Sequence, residues 1–361
     1  MAVIPIDLHQ LVFDLLNFPS QNNYISISSY IRDYVHITNL YNINIKYLFR
    51  IDNNIIAQKK FHRVTSLYIS RREVINFNYL LYLKKLSCGF DCTNQNMIKN
   101  LDLIELRASY NKNIINVNHM KNLKILYAGD SCGIDQAGIA ELDLIELYAE
   151  NNKNIINVNH MKNLKILNAS FSCGIDQAGI SDLDLIVLCA PDNMKINNVN
   201  HMRHLRILNA SGICGIDQTG IRDANLIKLC ACDNIKINDV NHMKSLKILN
   251  AASSCGINQI GIKDLDLIEL CVSDNLKITN VNHMKKLRLL YASYNCGIAQ
   301  VGIKNLDLIN LYAHDNPYIT NINHMKRLKR LHIGGNSGIG PLGIKDLNLD
   351  FLYKVGNKNF N

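Results

Sequence analysis

No stretch of this 361-residue chain reaches about 18 consecutive apolar residues, the length a helix needs to cross a bilayer, although 48% of its residues are hydrophobic. The opening residues, MAVIPIDLHQ, place no basic segment before an apolar one and meet Asp7 early, so no secretory leader is expected. A cytoplasmic location follows as the expectation, with the nucleus also open, and no membrane partner. Catalytic signatures are missing as well: there is no P-loop, no Gly-x-Ser-x-Gly, no His-Glu-x-x-His and no glycine-rich dinucleotide turn. Cys88 and Cys92 make a C-x-x-x-C pair with no second pair to complete a four-ligand zinc set. Neither an enzyme nor a bound metal or cofactor is expected.

What the chain does have is repetition. Asn-His-Met recurs six times at an interval of 41 residues (His119, His160, His201, His242, His283, His324), and Cys-Gly-Ile keeps that interval from Cys132 to Cys296. A spacing that never slips predicts a stacked solenoid whose working parts are rows of residues. Each period holds two coils. The first reads Leu144-x-x-Leu147-x-Ala149-x-x-Asn152-x-x-Ile155; the second starts at Leu164-x-x-Leu167-x-Ala169 and carries Cys173-Gly174-Ile175-Asp176-Gln177-Ala178-Gly179-Ile180. Each coil is expected to open with a short strand and close with a turn or short helix. Successive strands stack about 4.8 Å apart, so ladder cysteines two coils apart lie roughly 10 Å from each other, beyond disulfide reach. Cys132, Cys173, Cys214, Cys255 and Cys296 are therefore expected as reduced, buried residues. The histidine row fails as a metal site for the same reason, and is expected to pack or hydrogen-bond at the convex edge.

The pattern Leu-x-x-Leu-x-Ala-x-x-Asn-x-x-Ile resembles the leucine-rich-repeat family, with alanine in its third leucine slot. The resemblance implies an α/β leucine-rich-repeat solenoid with a parallel concave sheet, about fourteen coils, and an asparagine ladder capping backbone groups of the neighbouring turn. The cysteine-bearing coil resembles the repeats common in F-box proteins, its cysteine one place later than in their consensus. Residues 63–361 are assigned to the solenoid, with Lys354 in a core slot of a capping coil, and residues 1–60 to a small helical module. That module either caps the solenoid or is an F-box, on whose pattern Pro5, Leu8, Leu11, Val12 and Leu15 can be laid. The Asn/Ile/Lys-rich coils together resemble leucine-rich-repeat proteins of giant DNA viruses of the mimivirus type, which would make the compartment a host cytoplasm.

In such a coil the residues between the leucines face outward. One outward row holds Ile125, Ile166, Ile207, Ile248 and Leu289; the next holds Tyr127, Tyr148, Tyr291 and Tyr312, with Arg107 and His332 at its ends; farther along lie Asp192, Asp233, Asp274 and Asp315. Outward aliphatics and tyrosines are what a protein-binding face presents, so Ile125, Tyr148, Ile166, Asp192, Ile207, Asp233, Ile248, Asp274, Leu289, Tyr291 and Tyr312 are the expected contact residues. The expected function is binding of a protein partner by a monomer; the alternative is a ubiquitin-ligase adaptor holding a Skp1-like protein through residues 5–35. The formal charge of +9 comes largely from two basic rows beside the His-Met positions, among them Lys121, Lys162, Lys124 and Lys165. With no aromatics interleaved among them, nucleic acid is not the expected ligand.

Overall fold

A computed structural model describes residues 39–41, 64–68 and 80–360 of the chain, which divides into two compact units, Met1–Leu183 and Asp184–Asn361. The sites expected at Pro5, Leu8, Leu11, Val12 and Leu15, and with them all of the expected helical module but residues 39–41, lie outside the described residues.

In the N-terminal unit the strands are β1 (Asn39–Tyr41), β2 (Ser66–Tyr68), β3 (Lys85–Ser87), β4 (Glu105–Arg107), β5 (Ile125–Tyr127), β6 (Glu146–Tyr148) and β7 (Ile166–Asn168). All pair in parallel with leucine opposite leucine, from Leu40↔Leu67 to Leu147↔Leu167. The C-terminal unit repeats the scheme with β8 (Val187–Cys189), β9 (Ile207–Asn209), β10 (Lys228–Cys230), β11 (Ile248–Asn250), β12 (Glu269–Cys271), β13 (Leu289–Tyr291), β14 (Asn310–Tyr312), β15 (Arg330–His332) and β16 (Phe351–Tyr353). There Leu188↔Leu208 through Leu331↔Leu352 hold the register. A one-residue slip would put each core leucine on the opposite face, so burial of that column fixes the pairing. Sixteen strands among the described residues exceed the roughly fourteen coils expected, and β1 carries the register, through Leu40↔Leu67, into residues 1–60.

Helix is scarce among the described residues. Among the described residues it is confined to single turns such as Ala137–Ile139, Ala178–Ile180, Thr219–Ile221 and Ile260–Ile262, all in the cysteine-bearing coil. The cause is steric: a Cβ at Gly138, Gly179, Gly220 or Gly261 would collide with a backbone carbonyl of the preceding coil, so the two backbones pass too closely for a longer helix to fit between them.

The core is the inner column of each coil: Leu144, Leu147, Ala149, Ile155, Val158, Met161 and Leu164 are all at most 1% exposed, and so are their counterparts with few exceptions. Cys173, Cys214, Cys255 and Cys296 are fully buried and in no disulfide, and burial raises the thiol pKa of Cys132 and Cys255 to about 11 and that of Cys296 to about 12. Cys88 and Cys92 are also buried and free, but Thr93 shares with Ile134 the slot whose carbonyl meets the ladder asparagine, so Cys92 takes the place of Gly133, outside the ladder.

Between strands, coil backbones are tied by side chains. Asn234 Nδ2 donates to Ala210 O (2.7 Å) and Ile216 O (3.1 Å) of the preceding coil while its Oδ1 accepts Lys236 N (2.9 Å); Asn111, Asn152, Asn275 and Asn316 repeat the arrangement. Gln218 does the same for the next corner, its Oε1 accepting Asn238 N and Asp239 N and its Nε2 donating to Asp239 O. The histidines close a third ladder: Nε2 of His119, His160, His242, His283 and His324 each meets an isoleucine carbonyl one coil back at 3.0–3.2 Å, which requires the Nε2–H tautomer.

Two stability tests follow. Asn234→Ala strands two carbonyls and an amide in the interior and is expected to cost about 1–3 kcal/mol; hydrogen exchange should rise in the coils that flank it and not at distant ones, because each coil contacts only its neighbours. Ser337 occupies the ladder slot that cysteine fills in the earlier copies, and its buried hydroxyl has no hydrogen-bond partner among the described residues. Ser337→Cys should therefore raise stability by about 1 kcal/mol, as the removal of an unsatisfied buried hydroxyl does; a lower melting temperature in that variant would refute the account of the slot as a dry apolar hole.

Candidate interaction surface

The strands alternate outward, inward, outward, so each contributes two side chains to one face. Ile125 and Ile166 in the N-terminal unit, and Ile207, Ile248 and Leu289 in the C-terminal unit, are half-buried or exposed there, as are Tyr148, Tyr291 and Tyr312. The outward placement expected from sequence is what the structure has.

In the N-terminal unit the outward side chains gather around Arg107. Its guanidinium lies 4.5 Å over the Tyr127 ring, which stacks on Tyr148 at 4.1 Å with planes 1° apart. Arg107 Nε donates to Glu105 Oε1 at 2.7 Å, Lys85 Nζ reaches the other oxygen at 3.5 Å, and the Tyr148 hydroxyl donates to Glu146 at 2.9 Å. Burial, together with the hydrogen bond to Glu146, pushes the Tyr148 hydroxyl well above the usual phenol range. Phe90 and Tyr110 stack alongside at 5.0 Å, 3° from parallel.

The C-terminal unit carries a second aromatic run. Tyr291 stacks on Tyr312 (4.4 Å), Tyr312 on His332 (4.2 Å), and His332 meets Phe351 (5.1 Å) and Tyr353 (5.8 Å); Tyr294 and His314 touch edge-to-face beside them. The stack follows from the fold, since strand spacing brings like positions to ring-stacking distance. Two open cavities of about 460 and 500 Å³ share Tyr312 and His332 in their walls. Between β8 and β12 the corresponding row alternates Cys189, Asn209, Cys230, Asn250 and Cys271.

The aspartates have another task. Asp192, Asp233, Asp274 and Asp315 lie beyond the strands, in left-handed turns with φ of 54–59°, and each Oδ1 accepts a backbone N–H from the next coil: Ile213, Ser254, Asn295 and Asn336, at 2.7–3.3 Å. Aspartate tolerates that conformation better than most residues. The row expected as partner contacts is thus built first into the turn, and the second oxygen is engaged as well in two of the four, Asp233 accepting from Cys232 Sγ and Asp315 pairing with His314. Basic residues are partly paired too: Lys121 with Glu141, and Lys162 with Asp182.

Sequence reasoning passed over a further exposed row at the strand entrance, Ile104 and Ile145 in the N-terminal unit and Ile186, Ile227 and Ile268 in the C-terminal one. It also passed over Phe90, Phe351 and Tyr353, which sit in the least regular coils, and Tyr110, which stands in a regular coil at the position that Asn151 and Asp192 hold in the next two copies.

No family model matches the chain, and no curated protein matches it in sequence. Among solved structures it is similar to TLR13 in the crystal structure of the TLR13–ssRNA13 complex, with a TM-score of 0.51 and 16% identity over 82% of this chain and 54% of that one. The fold is a leucine-rich-repeat solenoid. This chain spans about half the length of that TLR13 chain. A second structure is the functional domain of InlJ from Listeria monocytogenes, which includes a cysteine ladder: 15% identity, TM-score 0.35, 78% of this chain and 66% of that chain.

The aromatic run predicts a pH effect. Burial, and then the charge of Arg330, lower the His332 pKa below its ordinary 6.5. As pH falls, the unfolded chain takes up a proton first, so the folded protein loses stability from about pH 6.5 down through the His332 midpoint. An NMR titration should place that midpoint below 6.5, and Arg330→Gln should move it up.

Proposed function

We propose that the chain is a non-catalytic binding module whose strand face takes a protein partner. The observation that carries this reading is the aromatic run Tyr291, Tyr312, His332, Phe351 and Tyr353: large side chains held half-exposed or exposed on rigid strands, with cavities opening between them. Tyrosines of this kind offer a partner a broad apolar surface at little cost in conformational entropy. The outward aliphatics Ile207, Ile248 and Leu289 extend the same face.

A protein ligand suits the face better than the single-stranded RNA bound in the TLR13 complex. Base stacking needs free ring faces, and here Tyr312 is stacked between Tyr291 and His332, with His332 meeting Phe351 and Tyr353 in turn. Pairing of Lys121 and Lys162 with acidic neighbours further weakens any phosphate-tracking row.

The test is affinity capture followed by mass spectrometry, run with the native chain and with Tyr291→Ser/Tyr312→Ser and Ile207→Ser/Ile248→Ser. Both double variants should lose the partner by tenfold or more. Their melting should fall only modestly, because half-exposed side chains forgo less than the roughly 1.5–3 kcal/mol of a fully buried one. Retention of the partner by both variants would refute the strand-face reading. Capture of a Skp1-like protein that disappears on deletion of residues 1–60 would assign the adaptor function instead.

A further inference from the structure

The N-terminal unit carries two small cavities on its strand face, of about 210 and 230 Å³, which share Tyr68, Ser87 and Arg107 in their walls. Their linings differ in kind. The first adds Ser66, Lys85 and Glu105 and is polar and charged; the second adds Phe90, Tyr110 and Tyr127 and is mainly aromatic. We propose that this pair of cavities is a binding site for an aromatic side chain lying next to a carboxylate, with the ring on Phe90, Tyr110 and Tyr68 and the carboxylate on Arg107.

Arg107 is built to receive an anion. Its guanidinium lies over Tyr127, and its Nε is spent on Glu105. Neither Nη makes a hydrogen bond to any described residue, and the side chain is half exposed. An arginine fixed by a ring and a neighbouring carboxylate has lost little further entropy to give when a second carboxylate arrives at its outer edge. Glu105, only 8% exposed, already serves both Lys85 and Arg107. Two cations against one buried carboxylate leave a single surplus positive charge, which matches a carboxylate and falls short of a phosphate dianion.

The aromatic half is open to a ring. Phe90 and Tyr110 are 50% and 45% exposed although they stack on each other, and both stand at left-handed backbone positions, φ 58° and 65°. Bulky residues are rare in that region of backbone space. In the corresponding turns of the C-terminal unit the sequence supplies aspartate at 192, 233, 274 and 315, glycine at 212 and 335, serine at 253 and one aromatic, Tyr294. Small or polar residues fill most of these turns, Phe171 and Tyr294 excepted, and Phe90 with Tyr110 places two rings in adjacent turns where they stack.

This proposal rests on the strand face being a binding surface, but its test needs no natural partner. Ligand binding to the full chain would be followed by NMR titration with N-acetyl-L-phenylalanine, its amide, and N-acetyl-aspartyl-phenylalanine amide. A carboxylate at a chain end or on an aspartate should bind, with whichever is tighter identifying the source. The phenylalanine amide without aspartate should bind about tenfold more weakly, the loss expected for charge-assisted hydrogen bonds. Arg107→Gln should erase the preference for acid over amide while leaving the melting temperature within a few degrees of native. Phe90→Ser, at a position exposed in the native fold, should weaken all three probes. Equal binding of acid and amide, a preference that survives Arg107→Gln, or tighter binding of phenyl phosphate than of N-acetylphenylalanine would each overturn the assignment. Fragment binding that persists while affinity capture finds no strand-face partner would refute the broader reading and leave this site standing.

Discussion

Every coil must satisfy the backbone groups of its corners without help from long strands or helices, and this requirement governs the molecule. A strand of three residues supplies only a few ladder bonds, and a buried carbonyl left alone costs on the order of a kcal/mol or more. Side chains from the adjacent coil therefore complete the set: Asn234 reaches two carbonyls and accepts one amide, Gln218 bridges two amides and a carbonyl, and His242 reaches a third corner. Each of these bonds is good only at one stagger of neighbouring coils. Insertion of a single residue would break several at once, which is why the 41-residue interval does not drift.

That dependence explains which parts of the fold were legible in sequence. The leucine column, the alanine slot, Asn111 with its copies and the buried cysteines all repeat, and repetition at a fixed interval is a direct imprint of stacking. The aspartates repeat as well, yet their position relative to the strand could not be read from spacing. Asp192 looked like an outward contact residue, whereas the left-handed turn directs its Oδ1 to Ile213 N. Strand β1 was hidden for the opposite reason, since Asn39–Tyr41 carries the Leu40 slot without the flanking pattern that marks later coils.

The surface was legible only in part. Outward positions are free to vary because they touch no core, so a sequence reveals that Tyr291 and Tyr312 face solvent but not that they stack with His332 into one body. The same holds in the N-terminal unit, where Arg107, Tyr127 and Tyr148 belong to three different strands and become a single cluster through strand spacing alone. Rows that are uniform along a coil type report on folding; the breaks in uniformity mark where the surface of one coil differs from that of the next.

The slot occupied by Ser337 shows how forgiving such an architecture is. One serine stands where five cysteines stand in earlier copies, and its orphan hydroxyl is confined to its own coil. In a globular core a comparable defect would be felt by packing neighbours from all over the chain. Here errors stay where they arise, so whole coil pairs can be copied, lost or worn down separately, and the face they present can be remade one 41-residue tile at a time.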